Sequence, residues 1–526
     1  MSDLMDVDGP LTESQEGQGA VEDIKFQLPM SYDYEQSTFF VRSCYPVYYE
    51  LIVDLLKGRD TSKTFKYITL TGTPGIGKSV FYIYFFQRWK TENPQDTIVT
   101  ASYNKDRKLE KCVVFIAGAT RGDIYPTIPL IAGAFYLYDG PPELRTPDNQ
   151  MVCFTSPNPD WYDSIVKSPT HKCFYMPVWT VEELLEADRL LRLNLGKDTL
   201  ARRFHFFGGS ARFCLATDDD YVKDSEENLL QKVDEITHFE MIPKIAQSKA
   251  PRDLCHRIFH VVPKLRSALP TSYSLIFCSR LIANKVYQSV QDFSDAQRAR
   301  MVGWVRSENP LASVVGAFFE IYASCVLSQG GQFAAMSISD EQVRNVTIEL
   351  PKDQYLKSSA KNTESVDGHW HDSTTGILYL FQCTVSQHHP VNANGIINLI
   401  EKVDLQHISA DLVRLVFVVP DDQEIRKQTV VFNRPPLPGT AAVSLIHGIG
   451  PALNEKLVSQ NILTVADLQQ AIELDERIKS EFSRKLESAL LASSKRTKFS
   501  FLANITQLVL KIDFARSKDT RIRYSE

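Results

Sequence analysis

Residues 67–90 read YITLTGTPGIGKSVFYIYFFQRWK, and this stretch decides the fold. A β-prone run leads into Gly72-Thr73-Pro74-Gly75-Ile76-Gly77-Lys78-Ser79, the pattern G-x-x-x-x-G-K-[ST], and an apolar helical run follows. In a strand–loop–helix of this kind the glycines let backbone N–H groups turn inward around a phosphate. The lysine reaches the β and γ oxygens, and the serine hydroxyl ligates Mg²⁺ at a helix N-terminus whose dipole favours anions. The stretch therefore predicts a nucleotide site with ATP and Mg²⁺ as its cofactors, built on residues 72–79.

Outward from this loop, short β-like runs recur at 96–102, 112–118, 134–139, 151–156 and 173–177, with helical patterns between them. Such alternation predicts an α/β fold with a parallel sheet covered by helices. A phosphate loop needs an acid at the end of a neighbouring strand to hold the metal's water shell. AFYLYDGPPE offers Asp139 for that role, with Glu143 four residues on to orient an attacking water. The competing reading is that Asp139 starts a turn with Gly140. MVCFTSP ends a strand with Thr155 and Ser156, a candidate γ-phosphate sensor or an ordinary strand end. In RRFHFFGGSARF, Gly208-Gly209 precede Arg212, which could carry positive charge to a phosphate or serve as a surface arginine.

The 526 residues suggest several domains, and 43% hydrophobic with 23% charged residues excludes both a single small module and wholesale disorder. Net charge is −6, so the whole-molecule field does not announce a nucleic-acid binder. The charge is uneven: residues 1–24 carry seven acids and no Lys or Arg, whereas 491–526 carry eight Lys/Arg against three acids. The nine cysteines are scattered without a C-x-x-C pair and read as free thiols of a reducing compartment. The apolar run IPLIAGAFYLY is too short and Pro-broken to span a bilayer, and the acidic head is no ordinary signal peptide. The expected location is intracellular, in the nucleus, with no membrane partner; the oligomeric state is left open.

The expected divisions are a disordered acidic tail (1–24), a P-loop core (25–200), a helical lid or sensor subdomain (201–310), a smaller α/β domain (311–434), and a helical and basic segment (435–526) set off by Pro435, Pro436 and Pro438. In the smaller domain Glu320 lies in an apolar helix, Asp367 in SVDGHW, and Gln382 and Thr384 in LYLFQCTVS. That is the order of the PD-(D/E)XK nuclease core, in which acids bind Mg²⁺ and a lysine polarises water. Here E-x-K is replaced by Q-C-T. Asp367 and Gln382 remain as metal candidates, and Lys402, or His388 and His389, as substitutes for the missing cation. A shape retained without chemistry is the alternative. Further on, LIHGIGPALNEKLVSQNILTVADLQQA reads as a helix-hairpin-helix. Its hairpin Gly448-Ile449-Gly450, with Lys456, would present N–H groups and charge to a DNA phosphate or dock a protein partner.

Taken together, FFVRSCYPVYYELI, ITLTGTPGIGKS, YLYDGPPE, CFYMPVWTVEEL, FGGSARF, VDGHW and LYLFQCTVSQHHP make residues 38–420 resemble the Crinkler and retrotransposon-hot-spot type proteins. The resemblance implies a STAND- or AAA-like P-loop NTPase fused to a restriction-endonuclease-like domain. It assigns Lys78, Ser79 and Asp139 to nucleotide and Mg²⁺, Arg212 to phosphate sensing, and Glu320, Asp367 and Gln382 to the nuclease core. It also implies an ATP-regulated DNA-binding and DNA-cleaving effector, secreted and delivered to a host-cell nucleus. The usual Crinkler translocation header has no counterpart in the acidic head, and the helix-hairpin-helix lies outside the matched stretch. A nuclease-dead NTPase and a STAND-like switch or scaffold for protein partners are the rival expectations.

Overall fold

The computed structural model describes residues 19–512 apart from 32–33, 35, 59–63, 105, 144–148, 166, 247–256, 265–268, 308, 339–344, 358–365, 388–390, 422, 433–440, 447–448 and 450. It comprises two compact units, residues 1–293 with 306–314, and residues 294–305 with 315–526.

The first unit begins with an antiparallel pair, β1 (Ala20–Asp23) and β2 (Thr38–Val41). Its main sheet contains β3 (Tyr67–Thr71), β4 (Ile98–Tyr103), β5 (Leu109–Phe115), β6 (Asp123–Tyr125), β7 (Phe135–Asp139), β8 (Met151–Phe154) and β9 (His171–Tyr175), in the order β6-β5-β4-β7-β8-β3-β9. From β4 to β9 every pairing is parallel; β5 and β6 add an antiparallel edge. The five residues of β3 and of β7 are all buried, as expected of parallel strands covered on both faces. The helix Lys78–Glu92 that follows β3 buries Phe81, Tyr82, Ile83, Tyr84, Phe85, Phe86 and Trp89. A helix apolar nearly all round belongs inside a protein. Trp89 stacks on Phe135 with ring centroids 4.2 Å apart, tying the helix to β7.

After the sheet come the helices Val181–Leu191, Lys197–Phe207, Ala211–Cys214 and Asp219–Asp234. The first starts with the capping box that Thr180 and Glu183 predict. The region 201–310 is not purely helical, however. FHVVP and YSLIF, rich in β-branched and aromatic residues, form an antiparallel hairpin of β10 (Phe259–Pro263) and β11 (Tyr273–Phe277). The acidic head also departs from expectation, because its end, Ala20–Asp23, is strand β1 rather than disordered chain. The apolar edge TFFV of β2 supplies the ladder, and Glu186 accepts the Gly19 N–H at 2.9 Å, so order here comes from partners distant in sequence. Residues 1–18 lie outside the described residues.

In the second unit a seven-stranded sheet is built from β12 (Gly331–Ser337), β13 (Asn345–Leu350), β14 (Leu356–Lys357), β15 (Gly368–Asp372) and β16 (Ile377–Cys383). A small parallel bridge joins β17 (Val391–Asn392) to β19 (Val430–Val431), and β18 (Val413–Pro420) and β20 (Thr506–Ile512) complete the main sheet. Its order is β13-β12-β20-β18-β16-β15-β14. The parallel pair β16–β18 is connected through the helix Ala393–Lys402, whose Ile396, Ile397 and Ile400 pack on Leu380, Leu415 and Phe417. The helix Ala312–Gln329, 18 residues long, is apolar enough by length and composition to cross a membrane, but just over half of it is buried within the protein.

The helical segment beyond the prolines contains the helices Pro451–Ser459, Val465–Leu474 and Glu476–Lys498 around Val443, Ile446, Leu457, Leu468, Phe482 and Leu486. It is not a terminal appendage. β20 follows it and inserts between β18 and β12, so a boundary at 435 divides strands that one sheet joins. The nearly continuous burial of TQLVLKI comes from a central sheet position that local patterning does not reveal.

Candidate functional site

The loop Gly72–Ser79 emerges from β3 and closes on itself. The Lys78 ammonium donates to the carbonyls of Gly72 at 3.0 Å and Thr73 at 2.7 Å. Burial, and then the charge of Arg212, push its pKa down to about 7. Ser79 Oγ donates to Asp139 Oδ1 at 2.8 Å, although β8 separates β3 from β7 in the sheet. The second carboxylate oxygen of Asp139 accepts from both the N–H and the hydroxyl of Ser31, at 2.8 and 2.9 Å. Burial pushes the Asp139 carboxyl up, against the pull of the Ser31 and Ser79 hydrogen bonds and the Lys78 charge.

Around the loop, residues from several distant motifs converge. Trp179 Nε1 donates to the Ile76 carbonyl at 2.8 Å, the Tyr45 hydroxyl to Gly77 at 3.0 Å, and Thr73 Oγ1 accepts the Val261 N–H of β10 at 2.9 Å. Arg42, 1% exposed, holds Trp179 in place: its guanidinium lies 4.6 Å from the indole centroid, donates to the Pro177 and Val178 carbonyls and pairs with Glu183. Gly209 lets the chain pass against Trp179, since a Cβ there would lie 2.3 Å from the Trp179 carbonyl oxygen. That passage brings Ser210 and Arg212 to the tip of the loop, where the Arg212 N–H donates to Gly75 O at 3.0 Å. Gly75 has φ +79°, and a Cβ on it would lie 2.8 Å from Arg212 Cβ. Arg212 is thus beside the loop with an exposed side chain.

Glu143 is exposed beyond β7, its carbonyl held by Arg107 at 2.6 Å. Thr155 at the end of β8 is buried and donates its hydroxyl to the Ser156 carbonyl. Sequence reasoning missed Ser31, Arg42, Tyr45, Trp179 and Val261. Ser31 and Val261 carry no local signature. Arg42 and Tyr45 lie in the stretch FFVRSCYP and Trp179 in YMPVWT, so an arginine amid apolar neighbours was the available clue.

In the second unit, Asp367 and Gln382 meet across β15 and β16. Asp367 Oδ2 accepts from Gln382 Nε2 at 2.9 Å and from the Cys383 N–H at 2.7 Å. Gln382 Oε1 is buried without a partner. Glu320 and Asp367 both lie within electrostatic reach of the Tyr355 hydroxyl, whose pKa burial raises first and these charges further. Thr384 stands where a lysine was sought, its hydroxyl accepting the Ser386 N–H and its own N–H donating to Val418 O. Lys402 is exposed at the end of its helix; burial first and the Lys402 charge second lower the pKa of His369. His388 and His389 lie outside the described residues.

The two places differ in how well magnesium suits them. At Ser79 and Asp139 a hydroxyl and a carboxylate 2.8 Å apart at a helix N-terminus match the donors that Mg²⁺ with a bound phosphate needs. At Asp367 one carboxylate oxygen already accepts from the Gln382 amide and the Cys383 N–H. Among the described residues no group of three or more His, Cys, Asp or Glu converges as metal ligands at either place.

In the helical segment, Ile449 is 6% exposed in the apolar core, and its N–H donates to the Ile446 carbonyl at 3.1 Å. The N–H assigned to a DNA phosphate is therefore already engaged within the turn. Gly448 and Gly450 lie outside the described residues, and Lys456 is exposed on the helix Pro451–Ser459. Of the basic run, Lys495 pairs with Glu401 at 2.7 Å, while Arg516, Lys518, Arg521 and Arg523 lie outside the described residues.

Fold and site together define a mixed α/β protein with a glycine-rich loop joining a parallel strand to a helix. No family model matches the chain. It is distantly similar to two curated proteins of Phytophthora infestans. Crinkler effector protein 15 is 23% identical over 314 residues, covering 57% of this chain and 49% of the relative. Crinkler effector protein 16 is 22% identical over 311 residues, with the same coverage. The chain thus spans about half the length of the curated relatives it matches.

Proposed function

We propose that this chain is a nucleotide-dependent, DNA-engaging effector of the Crinkler type, in which the first unit binds ATP with Mg²⁺ and the second contacts DNA. The observation that carries the nucleotide part is the placement of Lys78 and Ser79 against Asp139. Lys78, on leaving the Gly72 and Thr73 carbonyls, would donate to the β- and γ-phosphates. Backbone N–H groups of the loop surround the phosphates, Ser79 with Asp139 holds the ion, and Arg212 adds charge from the tip. Held there by Ser79 and Asp139, Mg²⁺ would supply charge neutralisation for the phosphates. Glu143, exposed beyond β7, is a residue of this chain available to orient a water.

Calorimetry with ATP tests this reading. Lys78→Ala should abolish measurable binding, and Asp139→Asn should keep nucleotide but lose Mg²⁺-dependent hydrolysis; unchanged affinity in a folded Lys78→Ala protein removes the assignment. DNA engagement rests on the nuclease-like order of the second unit, on Lys456 and on the distant likeness to Crinkler effector proteins, and is tested by salt-dependent binding to a labelled duplex.

A second reading is favoured by one observation, the Asp367–Gln382 pair, which supports a unit that keeps the nuclease shape without its chemistry. The protein is then a nucleotide switch that presents DNA- or protein-binding surfaces. Plasmid cleavage in Mg²⁺, with and without ATP, separates the two: cleavage lost in Asp367→Ala overturns the second reading.

A further inference from the structure

The carboxylate of Asp139 is engaged by its own chain on both oxygens. A carboxylate oxygen offers two acceptor sites. On Oδ2 both are taken by Ser31, through its N–H at 2.8 Å and its hydroxyl at 2.9 Å, while Oδ1 takes Ser79. Ser31 ends a segment laid along the first unit from β1 onward. The Ile24 N–H donates to Ser37 O at 2.8 Å, and the Lys25 N–H to Gln87 Oε1 at 2.7 Å. Gln87 in turn donates to the Asp23 carbonyl at 3.3 Å. Phe26 sets its ring edge-on to Phe86 and Phe115, with centroids 5.3 and 6.0 Å away, and Pro29 is buried.

This segment is held differently at its two ends. β1 is a four-residue strand, and Lys25 hangs on one side-chain amide of the helix Lys78–Glu92. The Ser31 end, by contrast, makes two hydrogen bonds to a carboxylate 2% exposed. Hydrogen bonds to a charged acceptor are the stronger kind. Yet that oxygen is one of the two with which Asp139 would hold the water shell of an ion seated at Ser79. The same acceptor sites cannot serve both.

We propose that residues 24–31 are an autoinhibitory strap: Ser31 occupies the Asp139 carboxylate in the nucleotide-free protein and must leave before Mg²⁺ with ATP is held there, so that loading frees the N-terminal segment. The strap rests on the nucleotide reading above. It makes the magnesium requirement of binding depend on a serine that never touches the nucleotide, and it turns the state of the loop into the accessibility of the chain ahead of β2.

The test uses the full-length protein and reads two quantities. The first is the Mg²⁺ concentration needed for tight ATP binding. The second is hydrogen exchange at the amides of Lys25 and Ser31, which local opening exposes. Ser31→Ala removes the hydroxyl donor, and Gln87→Met removes the anchor at the Lys25 end of the strap while leaving Asp139 untouched. Loss of one hydrogen bond to a charged group should lower the Mg²⁺ requirement about tenfold in Ser31→Ala, with a smaller shift in the same direction in Gln87→Met. In the wild type, ATP with Mg²⁺ should raise exchange at both amides, whereas ATP with a chelator should not. If ATP binds in chelator but neither variant changes the Mg²⁺ requirement, or Ser31→Ala raises it, the strap is overturned and the nucleotide site stands. If the wild type binds no ATP under either condition, both ideas fail together.

Discussion

If the first unit binds ATP as proposed, the depressed pKa of Lys78 makes that binding a proton-linked event. In the nucleotide-free protein burial and the Arg212 charge hold the ammonium at about 7, against an ordinary 10.5. Phosphate oxygens restore the charged form, so above neutrality the protein must take up a proton when ATP binds. The lysine is then mostly neutral before binding, and affinity falls with its protonated fraction. From a pKa of about 7, the loss between pH 7.5 and pH 9 is roughly twentyfold. The phosphates of ATP no longer titrate in that range, so the loss belongs to the protein. Calorimetry in two buffers of different ionisation enthalpy should record uptake approaching one proton at the upper end. Lys78→Arg, charged at every pH used, should flatten the profile even if its affinity is lower. Stability of the free protein should move the opposite way. Between about 7 and 10.5 the unfolded chain holds a proton that the folded chain has released, so stability rises with pH through that window and the cost of the buried charge is complete below it. A wild-type affinity independent of pH between 7.5 and 9 would refute the reasoning, because Lys78 would then be charged already or absent from the binding event.

Other expectations follow from the loop's surroundings and from the second unit. Gly209→Ala forces a Cβ to within 2.3 Å of the Trp179 carbonyl, so the passage must shift and carry Arg212 away from Gly75; ATP affinity should fall at least about tenfold while the circular dichroism spectrum is kept, and an unchanged affinity would show that Arg212 is dispensable. Arg42→Ala removes a buried cation from Glu183 and two carbonyls, which should cost about 3 kcal/mol in denaturant unfolding; a loss under about 1 kcal/mol would mean that Trp179 is held by other contacts. Gln382→Glu combined with Thr384→Lys replaces the amide partner of Asp367 by a carboxylate. The double variant should gain a Mg²⁺-dependent rise in melting temperature beyond that of the wild type, and no such gain would mean that the pocket around Asp367 excludes the ion for reasons of shape.

The parts of this protein that were legible in its sequence are those specified locally. The loop 72–79, the strand before it and the capping box at Thr180 each depend on residues within a few positions of one another, and their elements lie where expected. The acid at Asp139 was readable because an apolar strand ended there, but its bond to Ser79 is a tertiary fact. What was not readable depends on distant partners. β1 is formed by an acidic stretch because β2 lies beside it, and Ser31 reaches Asp139 across 108 positions of sequence. The order Glu320, Asp367, Gln382 suggested a metal cluster. Only the geometry reveals that the Gln382 amide donates to Asp367, a contact that the order of the residues does not give. Ile449 illustrates the same limit: a glycine-flanked residue reads as a backbone donor to phosphate, whereas its side chain belongs to the core and its N–H to a turn.

The place of β20 bears on how this chain is made. Residues 506–512 fill the gap between β18 and β12, so during synthesis those two strands emerge from the ribosome long before the strand that must lie between them. Until then each presents an unpaired apolar edge, the kind of surface that invites association with other nascent chains. The helices Pro451–Ser459, Val465–Leu474 and Glu476–Lys498 are assembled in that interval, within a loop whose closure is the late and slow step. Folding of this unit is therefore expected to be completed only once β20 has emerged, and to lean on chaperones that mask β18 and β12 while that strand is awaited.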